Sequence, residues 1–193
     1  MQAQGRWERT ALALTADHGE ELWDHGAFEH GHALYGELIR VPMLLHAPGL
    51  APGRVMAQAQ HADLFQTIAA LGGAAPPPEA RGTDLRAVAD GPPDRPVLTE
   101  DCLYGPARVA LTQGSHRLIV NLQTHAAGVF QIDLYGQRDV QIRDPIEARR
   151  LSEPLMEATE AARGDLEIRA LPDRTAPLTD ENMEKLRALG YLR

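Results

Sequence analysis

Two short apolar runs separated by a histidine-rich loop constrain the fold of this 193-residue chain more than any other feature. The runs cover residues 10–16 (TALALTA) and 41–47 (VPMLLHA), and each stops at a polar or turn-forming sequence, Asp17-His18-Gly19 or Pro48-Gly49. Apolar runs of this length are typical of strands in a parallel sheet whose two faces are both covered. We therefore expect two neighbouring buried strands with a polar loop between them.

A helix follows the second run. Residues 63–71 begin with Asp63, which we expect to cap the helix, and stop before two glycines. These are the usual start and stop signals of a helix. Strand, loop, strand and helix in this order predict an α/β fold, with residues 1–93 forming part of a core sheet.

The chain changes character after a connection rich in proline and glycine at residues 90–96. Short apolar segments joined by tight turns, such as Gln113-Gly114-Ser115, predict an antiparallel sheet. Its strands are expected at residues 96–100, 107–112, 116–121 and 129–134. We assign this small subdomain to residues 94–165.

Two helices are expected in the last third of the chain. Apolar residues at helical spacing between Ile146 and Arg163 predict a helix with one face packed on the small sheet. Residues 166–193 then form a tail, with a short helix over residues 179–190.

Composition excludes several classes of function. With 19 basic and 27 acidic residues the net charge is −8, and no basic block is present, so a nucleic-acid partner is not expected. No apolar segment approaches the ~20 residues that a membrane span needs. The single cysteine, Cys102, excludes an intrachain disulfide and a metal site built from cysteines alone. The sequence leaves the cellular compartment open.

Asp17 and His18 are the first candidate functional residues, because they directly follow the first predicted strand. In open α/β sheets, ligands bind beyond the carboxyl ends of the strands. A carboxylate and an imidazole side by side can both bind a divalent cation. The alternative is an aspartate that shapes a turn beside a histidine that fills space, and spacing alone does not decide between the two.

His30 and His32 are the second pair of candidates. Four of the eight histidines lie between residues 18 and 32, and these two are separated by one glycine. On a strand they would share a face, and on a loop both could donate to the oxygens of one sulfate or phosphate. A solvated loop and a structural zinc cluster are the alternatives. The loop contains no cysteine, and its spacing matches neither His-Glu-x-x-His nor a zinc finger.

Taken together, these segments resemble the sulfatases of the alkaline phosphatase superfamily. Residues 15–49, TADHGEELWDHGAFEHGHALYGELIRVPMLLHAPG, are similar to a family segment that ends a central strand with Asp-His/Asn-Gly-Glu and continues through His-Gly, Leu-Tyr and Arg-Val-Pro. Weaker similarities follow in the same order as in the family. They are HADLFQTIAALGG (61–73), VALTQGSHRLIVN (109–121), VFQIDLYGQRDVQIRD (129–144) and MEKLRALGYL (183–192).

The resemblance implies part of an alkaline-phosphatase-like core sheet, followed by the small antiparallel subdomain with its packed helix. It also implies hydrolysis of sulfuric esters with a divalent metal, calcium, for which magnesium and manganese are alternatives. Asp17 and His18 match the family's second pair of metal ligands. Many sulfatases contact sulfate through a lysine at the position of Gly31, so we expect the flanking His30 and His32 to bind the substrate anion instead.

No catalytic nucleophile is expected in this chain. The family nucleophile is a formylglycine made from the first residue of Cys/Ser-x-Pro/Ala-x-Arg, and Cys102 does not stand in that motif. We expect Cys102 to be a small structural residue. The resemblance therefore implies the C-terminal portion of a longer enzyme, inactive alone.

Two kinds of partner follow from this interpretation. One is a sulfate ester, either a small molecule or a glycan, and the other is a separately encoded N-terminal half. A non-catalytic module and a phosphodiester or phosphonate hydrolase of the same superfamily remain as alternative functions.

Overall fold

The computed structural model describes residues 5–77, 80–100, 102–133 and 139–167, with side chains described as far as Glu160. The chain divides into two compact units, Met1–Glu160 and Ala161–Arg193. All features below belong to the first unit, apart from the C-terminal end of the last helix. The helix predicted over residues 179–190 lies outside the described residues.

Nine strands, four α-helices and a 3₁₀ turn at Trp7–Arg9 make up the described structure. The strands are β1 (Leu12–Thr15), β2 (Glu21–Leu22), β3 (Phe28–Glu29), β4 (Met43–His46), β5 (Val97–Glu100), β6 (Arg108–Gln113), β7 (His116–Asn121), β8 (Ala127–Ile132) and β9 (Asp139–Gln141). The helices are α1 (Gly36–Ile39), α2 (His61–Leu71), α3 (Leu85–Ala89) and α4 (Pro145–Glu167). No described helix is long and apolar enough to cross a membrane. The mixed α/β class predicted from the sequence is confirmed.

The two apolar runs pair with each other as β1 and β4, but the expected parallel arrangement is wrong. The strands are antiparallel, with Leu14 opposite Leu44. The segment between them is fully described and contains the β2–β3 hairpin and only the single turn of α1. A parallel pair needs a crossover connection, usually a helix packed on the sheet, and this segment contains no helix longer than one turn.

The expected burial of this strand pair is also wrong. Leu12, Leu14 and Leu44 are 50, 52 and 62% exposed. The two-stranded sheet of β1 and β4 is called the β1–β4 ribbon below. Leu14 and Leu44 are cross-strand partners, and Leu12 is two residues before Leu14, so all three lie on one face of this ribbon. This face, which we call the leucine face, is exposed.

The largest sheet has five antiparallel strands in the order β5-β6-β7-β8-β9. Four of its strands match the sequence prediction, and β9 is an additional edge strand. Leu155 of α4 packs against one face of the sheet, as predicted. The buried residues of that cluster are Val109, Leu111, Leu118, Val120, Val129 and Leu155.

The opposite face of this sheet supports the histidine loop. Leu34 is buried against Ala110, Ile119 and Phe130. The packing therefore continues across the predicted boundary at residue 93, and the division into units 1–93 and 94–165 stays a prediction. The loop that carries the candidate site is thus held against a rigid sheet.

Helix α2 starts two residues earlier than predicted, after Gln60. The prediction that the helix begins at Asp63 is wrong: Gln60 is the N-cap, and Asp63 lies at the third helical position. There its carboxylate accepts a 2.8 Å hydrogen bond from the backbone N–H of Gln60 in a capping box. The same fully buried carboxylate accepts from the Thr83 N–H and forms an ion pair with Arg95 at 2.8 Å. Asp63 therefore joins α2 to two later segments.

Candidate functional site

Asp17 lies two residues beyond the end of β1, and its side chain is exposed. Its Oδ1 accepts a 3.0 Å hydrogen bond from the backbone N–H of His18. This bond is the main cause of the lowered pKa of Asp17, and a hydrogen bond from the backbone N–H of Asp17 itself acts in the same direction. The group is therefore a carboxylate at neutral pH and can serve as an anionic ligand.

His18 is oriented by a hydrogen bond from its own ring. Nδ1 lies 2.8 Å from the carbonyl oxygen of Gly19, so we assign the proton to Nδ1 and a free lone pair to Nε2. Histidines that bind metals are usually oriented in this way, with the second nitrogen donating to a carbonyl or a carboxylate. The ring is therefore in the tautomer that a metal ligand needs.

Gly19 allows the chain to pass close to α1. Its backbone N–H donates to the carbonyl of Leu38 at 2.8 Å. A Cβ at this position would collide with the carbonyl of Glu37. The Asp-His-Gly sequence therefore fixes Asp17 and His18 against α1 through a contact that only glycine can make.

His30 is brought to this pair, whereas His32 has a different partner. The ring of His30 stacks on that of His18, with centroids 3.8 Å apart and planes at 21°. The Nε2 of His32 lies 2.8 Å from a carboxylate oxygen of Glu21. Gly31, with a φ of 84°, turns the chain between the two histidines, so they do not form the shared extended face that one alternative assumed.

Glu21 is a fully buried carboxylate that the sequence did not single out. Its Oε1 accepts backbone hydrogen bonds from His25 and Ala27, at 3.0 and 2.8 Å. Burial raises the pKa of Glu21, but the hydrogen bonds from His32, Ala27 and His25 outweigh it, so the net shift is downward. The ionised carboxylate therefore organises the loop.

His25 is the other functional candidate that sequence reasoning missed. Its Nδ1 lies 2.6 Å from Glu37 Oε1, and its ring stacks on Tyr35 with a centroid distance of 3.8 Å. Burial lowers the pKa of His25, but the hydrogen bond and the charge of Glu37 raise it by more. The available signal was a repeat, because Asp24-His25-Gly26 copies Asp17-His18-Gly19.

A small cavity lies beneath the loop. Its volume is about 150 Å³, and its lining includes Glu21, His25, His32, Tyr35 and Arg108. The guanidinium of Arg108 donates to the backbone carbonyl of His32 and so ties the loop to β6. Leu34 and Ile119 also line the cavity, so its wall is mixed, and it lies between the loop and the sheet.

Cys102 lies at the edge of the same packing. It is partly buried and packs with the cluster that contains Leu34 and Phe130. The prediction that Cys102 has a structural role is consistent with this position.

A divalent cation fits the donor atoms of Asp17 and His18. Asp17 Oδ2 and His18 Nε2 are 3.7 Å apart, which lets one ion contact both at ordinary ligand distances of roughly 2.0–2.5 Å. Within residues 5–77, 80–100, 102–133 and 139–160, no group of three or more histidine, cysteine or acidic side chains could hold a metal. The pair therefore fits part of a metal site.

The fold is similar to those of two longer solved proteins. It matches a protein solved with its substrate D-glucosamine-2-N,6-O-disulfate (TM-score 0.72, 18% identity, 90% of this chain and 38% of that chain). It also matches the phosphonate monoester hydrolase of Silicibacter pomeroyi (TM-score 0.69, 24% identity, 93% of this chain and 39% of that chain).

Sequence comparison finds a resemblance to one family. Residues 1–74 match the sulfatase family. The uncharacterized sulfatase YidJ of Escherichia coli (strain K12) is 29% identical over 154 residues, which are 75% of this chain and 28% of the relative. The predicted resemblance to the sulfatases is thereby confirmed, for a chain that spans only part of the length of these proteins.

Proposed function

We propose that this chain forms part of the active centre of a metal-dependent sulfuric ester hydrolase. Asp17 and His18 bind the divalent cation, and His30 and His32 bind the substrate. The observation that carries the proposal is the meeting of Asp17, His18 and His30 just beyond β1. Calcium is the proposed ion, and magnesium and manganese are the alternatives.

Each side chain has a role that its contacts support. A bound cation would stabilise the negative charge that develops on the ester oxygens. Asp17 offers a carboxylate, and His18 offers Nε2 because its Nδ1 is held by the Gly19 carbonyl. His30, with Nδ1 3.3 Å from Glu20, can donate from Nε2 to a sulfate oxygen when its ring is protonated.

His32 has a less direct role in this scheme. Its Nε2 is engaged by the buried carboxylate of Glu21, and its ring lines the cavity. Only Nδ1 remains to meet an anion. We therefore expect substitution of His32 to weaken substrate binding less than substitution of His30 does.

Hydrolysis also needs a nucleophile, and the sequence contains no Cys/Ser-x-Pro/Ala-x-Arg motif. We propose that the nucleophile comes from a further polypeptide segment, such as a separately encoded N-terminal half. The purified chain then binds metal and sulfate but does not turn over p-nitrophenyl sulfate. Turnover by this chain alone, abolished by Asp17→Asn, would show that the nucleophile lies within it.

The metal site can be tested without activity by paramagnetic broadening. Mn²⁺ added to the chain is expected to broaden the NMR signals of the His18 and His30 rings, and Ca²⁺ in excess is expected to restore them. Asp17→Asn should abolish the effect. Asp24→Asn is the matched control, because it makes the same change in the second Asp-His-Gly sequence. Equal broadening in wild type and Asp17→Asn would contradict the proposed ligand.

A phosphonate or phosphodiester hydrolase is the second candidate, and the fold shared with a phosphonate monoester hydrolase favours keeping it. Hydrolysis of a sulfate ester and hydrolysis of a phosphonate or phosphodiester would each place a tetrahedral anion at the proposed metal and at His30. Competition separates them, because a sulfatase site should bind sulfate at lower concentration than phenylphosphonate. The reverse order would favour the second candidate.

A further inference from the structure

His61 is the first residue of α2, and its ring reaches back to the end of β1. Its Nε2 lies 2.9 Å from the backbone carbonyl oxygen of Ala16 and 3.3 Å from the hydroxyl oxygen of Thr15. These contacts join parts of the chain that are 45 and 46 residues apart. Folding, and not a local sequence pattern, therefore brings this ring to the end of the strand.

The chemistry of the contact fixes the protonation of the ring. A carbonyl oxygen accepts hydrogen bonds and donates none, so we assign a proton to Nε2 of His61. The hydroxyl of Thr15 also donates to the Ala16 carbonyl, at 3.3 Å. Two donors therefore meet at one carbonyl oxygen, which has lone pairs for both. Because Nε2 is engaged in this way, it is not available as a further metal ligand.

The Ala16 carbonyl belongs to the peptide group that carries the nitrogen of Asp17. A peptide group is planar, so a donor that fixes the direction of its oxygen also fixes the direction in which the chain enters Asp17. On the other side of the pair, the N–H of Gly19 donates to the carbonyl of Leu38 in α1 at 2.8 Å. The segment with Asp17 and His18 is therefore held from α2 at one end and from α1 at the other.

The start of α2, from which His61 projects, is held by several buried contacts. Asp63 is fully buried, and its carboxylate accepts from the N–H groups of Gln60 and Thr83, both at 2.8 Å. Arg95 forms an ion pair with the same carboxylate at 2.8 Å. A ring that projects from a fixed backbone position can hold its partner in one place.

We propose that His61 is a positioning residue for the metal site, acting on Asp17 through the Ala16 carbonyl. This inference rests on the proposed function and adds to it a residue from outside the histidine loop. A metal ligand has to be held within about 0.5 Å of its binding geometry, and the hydrogen bonds that orient ligands add to metal affinity. Without the His61 donor, the peptide before Asp17 loses a restraint, and its carboxylate reaches the ion in fewer conformations.

The test is the affinity of the full chain for Mn²⁺, measured by the broadening of the His18 and His30 ring signals in NMR. His61→Ala should weaken this affinity about fivefold, which corresponds to about 1 kcal/mol. His61→Leu also removes the donor but keeps bulk at this position, so it should weaken the affinity equally, and it replaces the alanine variant if that variant does not fold. His61→Gln should stay within about twofold of wild type, because its side-chain amide supplies an N–H donor. A residue that only fills space would not show this rescue.

His46 provides the matched control. Its Nε2 also lies near a backbone carbonyl oxygen, that of Trp7, at 3.3 Å. His46 pairs with Leu12, so this contact lies at the opposite end of β1 from Asp17. His46→Ala should lower the free energy of unfolding in urea at least as much as His61→Ala does, and it should leave the Mn²⁺ affinity unchanged.

The remaining outcomes separate this inference from the proposed function. If wild type binds Mn²⁺ through Asp17 and His61→Ala binds it equally well, the positioning role is overturned and the proposed function stands. Equal weakening in His61→Ala and His46→Ala, or weakening in His61→Gln as large as in His61→Ala, would also overturn the positioning role alone. Absence of Mn²⁺ binding in wild type would overturn both.

Discussion

The five-stranded sheet and the β1–β4 ribbon are built from similar apolar runs but differ in burial. In the sheet, Leu111 and Leu118 are covered completely, by α4 and its neighbours on that face. In the ribbon, Leu14 and Leu44 are more than half exposed. An apolar run therefore predicts a strand, whereas the elements that pack against the strand decide how much of it is buried.

The histidine loop depends on the sheet for its position. Asp139 of β9 accepts a 2.7 Å hydrogen bond from the N–H of Gly36 at the start of α1, and its carboxylate is paired with Arg117 of β7 at 2.6 Å. Leu34 adds an apolar contact on the same side. The buried sheet therefore supports the candidate site. The more exposed pair of β1 and β4 supplies the strand after which Asp17 and His18 lie.

The largest expected effect comes from breaking the buried ion pair of the sheet. Arg117→Ala leaves the carboxylate of Asp139 buried without its cation, and such a loss destabilises a protein by about 3–5 kcal/mol. The free energy of unfolding in urea measures the change. Arg86→Ala is the control, since its ion pair with Asp84 is exposed and contributes about 1 kcal/mol or less. Equal losses in the two variants would mean that the sheet pair is no better buried than the surface pair.

A pair of matched leucines tests the comparison itself. Leu118→Ala removes a fully buried side chain and should lower the free energy of unfolding by about 2–5 kcal/mol. Leu14→Ala removes a half-exposed one and should lower it by about 1 kcal/mol or less. The same urea titration measures both. A large loss for Leu14→Ala would show that the leucine face is covered in the folded protein in solution.

The sequence predicted most of the sheet because its strands are local patterns with clear turns. The predicted segments 107–112 and 116–121 lie within one residue of β6 and β7. It missed β9, which is only three residues long, and it gave the wrong direction for β1 and β4. Strand direction depends on the path that the connection takes, and hydrophobic patterning does not report that path.

Only the part of the candidate site that is local in sequence could be predicted. Adjacent residues such as Asp17 and His18 are recognisable from sequence, and the structure places the ring of His30 against His18. Their roles in metal and substrate binding stay predictions. The partners of His25 and His32, Glu37 and Glu21, could not be assigned, because folding and not spacing brings each pair together.

The smallest expected effect is the pH dependence of the loop's stability. The pKa of His25 is raised above 6.5 by Glu37, so its contribution is complete below pH 6.5 and is lost as the pH rises through the folded-state pKa. The pKa of Glu21 is lowered below 4.5, so its contribution is complete above pH 4.5 and is lost as the pH falls through the folded-state pKa. The urea midpoint should therefore be highest between pH 4.5 and pH 6.5.

Variants separate the two contributions. His25→Gln should remove only the fall of the urea midpoint on the alkaline side. Glu21→Gln should remove only the fall on the acid side. Leu118→Ala should shift the whole curve down without changing its shape, because a buried leucine binds no proton. A urea midpoint that does not fall above pH 6.5 or below pH 4.5 would show that neither pair stabilises the loop.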